Sequence, residues 1–330
     1  MIKCTPILVV LLFIITTNAD AYTFKADPHL LSQHWAQNLN ISKAWRFASG
    51  KDVRIASCDN GVYFSEPDLR SNLLLEYAKD FSDLNNPDTI DDGSYTSLGT
   101  AAAAIMVGVK NGYGTNGIAW NAKLAPLQFR NNNRNDIVDL ETALYNCLKY
   151  ASQIPNIKVI YTSATYQSGT IEIFDSIKGL IRQITDKNIT VVIPAGNSFN
   201  KLSDNQDYET NSIIVGSLRQ NDQKSSFSNY GDRVTISSYG EGIATLKGPN
   251  GLYGLFTGTQ AAAAQVAGTI ALMYEAHPSL TPSAIRKILQ HTALRTSENA
   301  SVGGRVQTDK AVEEAARYFY QAVRYNRISN

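Results

Sequence analysis

The chain is poor in the residues from which metal and redox centres are built. Three of its 330 residues are cysteine and four are histidine, and none falls into a CxxC or HExxH spacing, which excludes the common zinc and thiol-exchange motifs. Charge is scarce too. Charged residues make up 18%, below the usual quarter, and 30 Lys and Arg against 29 Asp and Glu leave a formal net charge of +1. Without a Lys/Arg run the chain has no basic field, so nucleic acid is not an expected partner. Internal repeats and low-complexity segments are also missing, and no apolar run beyond the amino terminus is long enough to span a membrane.

What is present begins with a leader. Met1–Ala21 has Lys3 near its start, an apolar run from Ile7 to Ile15 and a small-residue cleavage site at Ala19-Asp20-Ala21, the organisation of a secretory signal peptide. The expectation is a secreted or otherwise extracytoplasmic protein whose remainder, residues 22–330, forms one domain with no membrane span once the leader is removed. In that remainder only Cys58 and Cys147 are left, so an oxidising compartment allows one bridge at most. Cys58 lies in an apolar strand pattern and Cys147 on an apolar helical face, and both are read as buried thiols.

With apolar residues at 43%, the chain has ample material for a core. Short apolar, β-branched runs at 53–58, 123–129, 158–163, 190–194 and 213–217 predict strands. Between and after them, helical patterns fall at 100–109, 136–153, 171–187, 258–276, 281–291 and 308–325. Strands alternating with helices predict a mainly parallel sheet covered on both faces, a three-layer α/β fold. Thr281-Pro282 supplies a helix cap followed by a first-turn proline. The stretch from Asp80 to Ser97 is rich in Asp, Asn, Pro, Gly and Ser and reads as a solvated loop, with a calcium loop as the alternative.

Several segments carry more specific information. Val53–Leu69 reads VRIASCDNGVYFSEPDL, Leu98–Met106 reads LGTAAAAIM, Ile193–Ser198 reads IPAGNS and Thr257–Gly268 reads TGTQAAAAQVAG. In this order, with NGYGTNGIAWNAKL at 111–124, SIIVGSLRQNDQKSSFSNYG at 212–231 and HPSLTPSAIRKILQHTA at 277–293, they resemble the subtilisin-like serine proteases from about residue 27 to residue 316. The resemblance implies the subtilisin-like fold. It also implies a triad of Asp, His and Ser with an amide donor for the oxyanion, here at Asp59, Leu98, Gln260 and Asn197.

Two of those four positions hold residues that cannot do the family's chemistry. A carboxamide at Gln260 forms no acyl-enzyme, and a leucine at Leu98 accepts no proton. Asp59 and Asn197 keep the family's residue types, yet each has a plain structural use, Asp59 as an acceptor at a strand-to-loop turn and Asn197 in a turn that suits asparagine. The family's peptide-binding strand resembles Ser163-Ala164-Thr165, which keeps the serine but places β-branched Thr165 where glycine would let a peptide backbone approach. Only Tyr22–Ala26 separate the leader from a segment resembling the start of the mature domain, so no pro-segment is expected.

These departures agree with one another. The sequence is read as a secreted, proteolytically inactive subtilisin homologue that acts by binding a peptide or protein, with no cofactor expected and a structural calcium ion as the alternative at the 80–97 loop. A serine endopeptidase with residual activity from an unforeseen nucleophile is the alternative, and a structural subunit is a third reading.

Overall fold

The computed structural model describes residues 32–83, 98–130, 139–165, 175–202, 211–248 and 253–328. The expected leader and the peptide preceding residue 32 lie outside them, as do residues 84–97 of the loop read as solvated or calcium-binding. Two short amino-terminal helices, α1 (His34–Asn38) and α2 (Ile41–Ala44), lead into β1 (Arg54–Asp59), β2 (Lys79–Asp80), α3 (Leu98–Val107), β3 (Lys123–Gln128) and α4 (Leu140–Ala151). There follow β4 (Ile157–Thr162), α5 (Asp175–Asp186), β5 (Thr190–Pro194), β6 (Ile213–Leu218) and β7 (Ile236–Tyr239). The hairpin β8 (Ile243–Leu246) and β9 (Tyr253–Phe256) precedes α6 (Thr259–Ala276), α7 (Pro282–Thr292) and α8 (Thr308–Ile328).

The main sheet is parallel, in the order β2-β3-β1-β4-β5-β6-β7. Parallel strands need helices on both faces, and two separate apolar clusters supply them. One joins α3, α6 and α8 to the sheet, and the other joins α4 and α5 to the opposite face. This is the three-layer α/β architecture expected of the sequence. Because β1 is flanked by β3 on one side and β4 on the other, the strand order reverses there, and ligand crevices in open α/β sheets form at the carboxyl ends of such strands.

Helix α6 is the centre of the fold. Its sequence is apolar nearly all round, and a helix of that kind is stable only when enclosed; fifteen of its residues are buried. Alanine lets neighbouring elements come close, and at Gly268 a Cβ would stand 2.8 Å from Ile118 Cβ. The carboxyl end of α6 holds the amino-terminal arm through Glu275, whose carboxylate accepts from the backbone N–H of Ser49 at 2.6 Å, of Lys51 at 2.8 Å, and of Gly50. Glu275→Ala leaves three donors without that acceptor, so the urea midpoint should fall by the equivalent of about 1–3 kcal/mol. An unchanged midpoint would show that water replaces the carboxylate without cost.

Local signals account for most boundaries. Thr281 caps α7 by accepting from Ala284 N at 3.2 Å, with Pro282 in the first turn, as the sequence predicts. Asp139 caps α4 by accepting from Thr142 N at 2.9 Å. That bond, favouring the charged form, holds the Asp139 carboxyl below its ordinary range. Helix α3 starts two residues before the predicted position and stops at Val107, because Gly108 is pressed between backbones, where a Cβ would lie 2.7 Å from Ala104 O and 2.9 Å from Thr115 O. Strands β2 and β7 and the β8–β9 hairpin are absent from the sequence-based expectation; they have two to four residues each, too few to show a period.

The reading of the cysteines is corrected. Cys58 and Cys147 form a disulfide with Cα atoms 6.1 Å apart. Along β1, Cys58 faces the cluster built on α4, and Cys147 lies on the inward face of that helix. The two apolar faces recognised in the sequence pack on each other and bring the α-carbons within bridging distance.

Candidate functional site

Asp59 is the last residue of β1, at the carboxyl edge of the sheet, and is 1% exposed. Its carboxylate accepts from Asn60 N at 2.8 Å and lies beside the hydroxyl of Tyr161 on β4. Tyr161 is fully buried and stands in register with Ser57, two residues before Asp59 on the same face. Burial, and then the nearby Asp59 carboxylate, push the Tyr161 hydroxyl far above its ordinary pKa. It therefore stays protonated and donates. The hydroxyl reaches the backbone carbonyl of Gln260 at 3.4 Å, a long hydrogen bond.

Leu98 opens α3, half-buried against the larger apolar cluster. The first turn of α3 is clamped to the loop that leaves Asp59. Tyr63 N donates to Thr100 Oγ1 at 2.9 Å, and a Cβ at Gly99 would stand 1.9 Å from Gly61 O, so no other residue fits there. The sequence thus brings Leu98 and Asp59 to one place although 39 positions separate them.

The third component comes from the start of α6. Gly258, at φ 142°, caps the helix without a side chain, and Thr259 takes over the fixing of the turn. Its backbone N–H donates to Asn197 Oδ1 at 2.9 Å, its hydroxyl donates to the same oxygen at 3.0 Å and accepts from Gly196 N at 3.1 Å. With its oxygen held by Thr259, Asn197 points its amide group toward Gln260, and Asn197 Nδ2 donates to Gln260 Oε1 at 3.0 Å. The glutamine curls back over the cap, where a Cβ at Gly258 would meet Gln260 Oε1 at 2.5 Å. The amide that the subtilisin resemblance assigns to an oxyanion thus holds a carbonyl oxygen of the protein itself.

Ser163 follows β4 directly and is tied to β1 by Ser163 N donating to Cys58 O at 3.1 Å. Ala164 N donates to Thr162 Oγ1 at 3.1 Å. Thr165 is half-buried and ends the described part of that segment. All six residues singled out in the sequence therefore belong to elements that meet at the carboxyl edge of the sheet or at the start of the helices covering it. The sequence reading missed Tyr161, whose only signal is its place two residues before Ser163 on an apolar strand.

The chemistry available here is limited. Thr259 spends its hydroxyl on the turn, and the Thr257 hydroxyl accepts from Gly242 N at 3.0 Å. His277 stands far from this site, since it follows the carboxyl end of α6 and an 18-residue helix is about 27 Å long. Burial lowers the pKa of that histidine. Among the described residues no group of three or more His, Cys, Asp or Glu side chains is placed to hold a metal ion.

The family model for Peptidase S8, the subtilase family, matches residues 50–319. Thermitase from Thermoactinomyces vulgaris is 31% identical over 290 residues, covering 87% of this chain and 98% of thermitase. An extracellular protease from Xanthomonas campestris is 27% identical over 328 residues, covering 86% of this chain and 56% of its own length. Among solved structures, a protease from Pseudoalteromonas arctica matches with a TM-score of 0.74 at 25% identity, covering 89% of this chain and 100% of its own. A structure of MycP1 without its propeptide matches at 0.68 and 23%, over 84% and 96%, which speaks to fold alone.

Proposed function

The chain belongs to the subtilase family, and we propose that it is a secreted member without proteolytic activity that works by binding a peptide or another protein. The observation carrying this reading is the hydrogen bond from Asn197 Nδ2 to Gln260 Oε1. Hydrolysis of a peptide through an acyl-enzyme needs a nucleophile, a base, and a donor left open for the developing oxyanion. Gln260 removes the first and engages the third, while Leu98 removes the second. Asp59 has a phenol beside it where the triad would offer an imidazole.

Secretion is supported from three directions. The leader has the layout of a signal peptide, the Cys58–Cys147 bridge suits an oxidising compartment, and a relative is an extracellular protease by name. No helix among the described residues is long and apolar enough to cross a membrane. A peptide or protein partner suits a family scaffold whose centre is filled by the protein's own carboxamide; the partner's main chain would pair beside Ser163, short of the β-branched Thr165.

Two measurements on the purified protein test the reading. A fluorophosphonate probe should label no residue and casein should stay intact; labelling at a mapped serine or threonine would restore the endopeptidase reading. A pool of extended peptides should contain members that bind with dissociation constants in the micromolar range, roughly −8 kcal/mol. A folded protein that binds neither peptides nor proteases at about a hundred times that concentration has no such partner.

A further inference from the structure

On the face of the sheet away from Gln260, a cavity of about 410 Å3 opens between the edge strand β2 and helix α4, a size within the roughly 300–1,000 Å3 of small-ligand sites. Asn146, Lys149 and Tyr150 line it from the helix, on one face of α4 by their i, i+3 and i+4 spacing, and Gln153 lines it from the turn that follows. From β2 come Lys79 and, beyond the strand end, Phe81. The two rings, Phe81 and Tyr150, meet at 5.6 Å between centroids and 55° between planes. Lys79 Nζ lies 5.8 Å from the first centroid and 5.5 Å from the second, so the aromatic corner holds that ammonium at the cavity wall.

One carboxylate also lines the space, that of Asp80. It is 1% exposed and engaged through Oδ1 by the N–H and hydroxyl of Ser82. Two ammonium groups against one inward-turned carboxylate leave the opening cationic. The Tyr150 hydroxyl, raised in pKa by burial and by Tyr77, remains a donor. The helix that carries most of these groups is fixed: Cys147, beside Asn146 and one turn before Tyr150, is bonded to Cys58 of β1.

We propose that this cavity binds an acidic sugar unit, a uronic acid presented on a polysaccharide. Lys79 and Lys149 meet the carboxylate. Asn146 and Gln153 each offer a donor and an acceptor, which suits the adjacent hydroxyls of a sugar ring, and the half-buried Tyr150 ring gives its apolar face a flat surface. An acidic peptide would meet the same ammonium groups and amides but offers the Tyr150 ring no flat apolar face of the kind a sugar ring presents.

The test is isothermal titration of the full chain with hexagalacturonate, its neutral methyl ester and hexaglutamate. Saturable binding of hexagalacturonate is expected, weakened at least tenfold in the Lys79→Met/Lys149→Met variant, which keeps the apolar stems and removes both charges. The ester should bind at least tenfold more weakly than the acid, and hexaglutamate likewise. Absence of saturation up to about 10 mM, where a bound ligand would gain less than about 3 kcal/mol, overturns the proposal. So does binding that the double variant leaves unchanged, and equal affinity for hexaglutamate makes the ligand an acidic peptide.

Discussion

A variant carrying both Leu98→His and Gln260→Ser should react with a fluorophosphonate probe at least about 10³-fold faster than the native chain, while neither single variant should react above background. The asymmetry follows from how a triad works: in subtilisin, loss of either serine or histidine costs about as much as loss of the whole set, about 10⁶ in turnover. Gln260→Ser does two things in this structure. It places a hydroxyl at the start of α6, and it withdraws the carbonyl now held by Asn197 Nδ2. Leu98→His puts an imidazole on the first turn of α3, which Gly99 and Thr100 already hold against the loop leaving Asp59.

Tyr161 sets a limit on that gain. Its hydroxyl lies beside the carboxylate that an imidazole at position 98 must engage and can turn to it from the Gln260 backbone carbonyl, and a hydrogen bond to a charged group contributes about 1.5–3 kcal/mol. Adding Tyr161→Phe should raise labelling by roughly a further tenfold, since about 1.4 kcal/mol corresponds to that factor. Peptide turnover should lag behind labelling until Thr165→Gly is added as well, because the β-branched side chain crowds a peptide backbone but not a small probe. Two results would sink the account: labelling of the Leu98→His single variant, or a silent double variant whose near-ultraviolet circular dichroism is native.

Much of this arrangement is written in local sequence, and the part that is not has a common physical cause. The interior strands β1 and β3 to β6 are short, mostly apolar and almost wholly buried runs, as strands covered on both faces tend to be, and they are recognisable one at a time. Leu98 and Gln260 stand inside motifs whose neighbours, Gly99 with Thr100 and Gly258 with Thr259, are demanded by close backbone approach and by the turn itself. By contrast, the Tyr161–Asp59 pair, the Asn197–Gln260 bond and the Cys58–Cys147 bridge join residues 102, 63 and 89 positions apart. Each depends on which strand lies beside which, or on a side-chain rotamer. Cys58 shows the difference plainly: its burial is readable from the strand pattern, and its partner is not.

That bridge should give the largest single stability effect in the molecule. Cys58→Ala/Cys147→Ala removes a cross-link spanning 89 positions, and loop-closure entropy for a ring of that size corresponds to about 4.6 kcal/mol in the unfolded chain. Thermal unfolding should come down by roughly 10 °C, at about 2–4 °C per kcal/mol for a large domain. The loss should be uneven. Amide exchange should quicken most in α4, whose inward face carries Cys147. Acidic-sugar affinity at the cavity beside Asn146 and Tyr150 should weaken with it. Probe labelling in the Leu98→His/Gln260→Ser background should stay within about twofold of its bridged value, because Cys58 and Asp59 are neighbours on a strand and face opposite sides of the sheet. Both cysteines are 0% exposed, so a thiol reagent should find neither in the native oxidised protein, and reductant should expose both only in urea. Two thiols titrating in urea without reductant would mean that no bridge forms, and a double alanine variant with an unshifted melting point would mean that it forms but does not hold the fold.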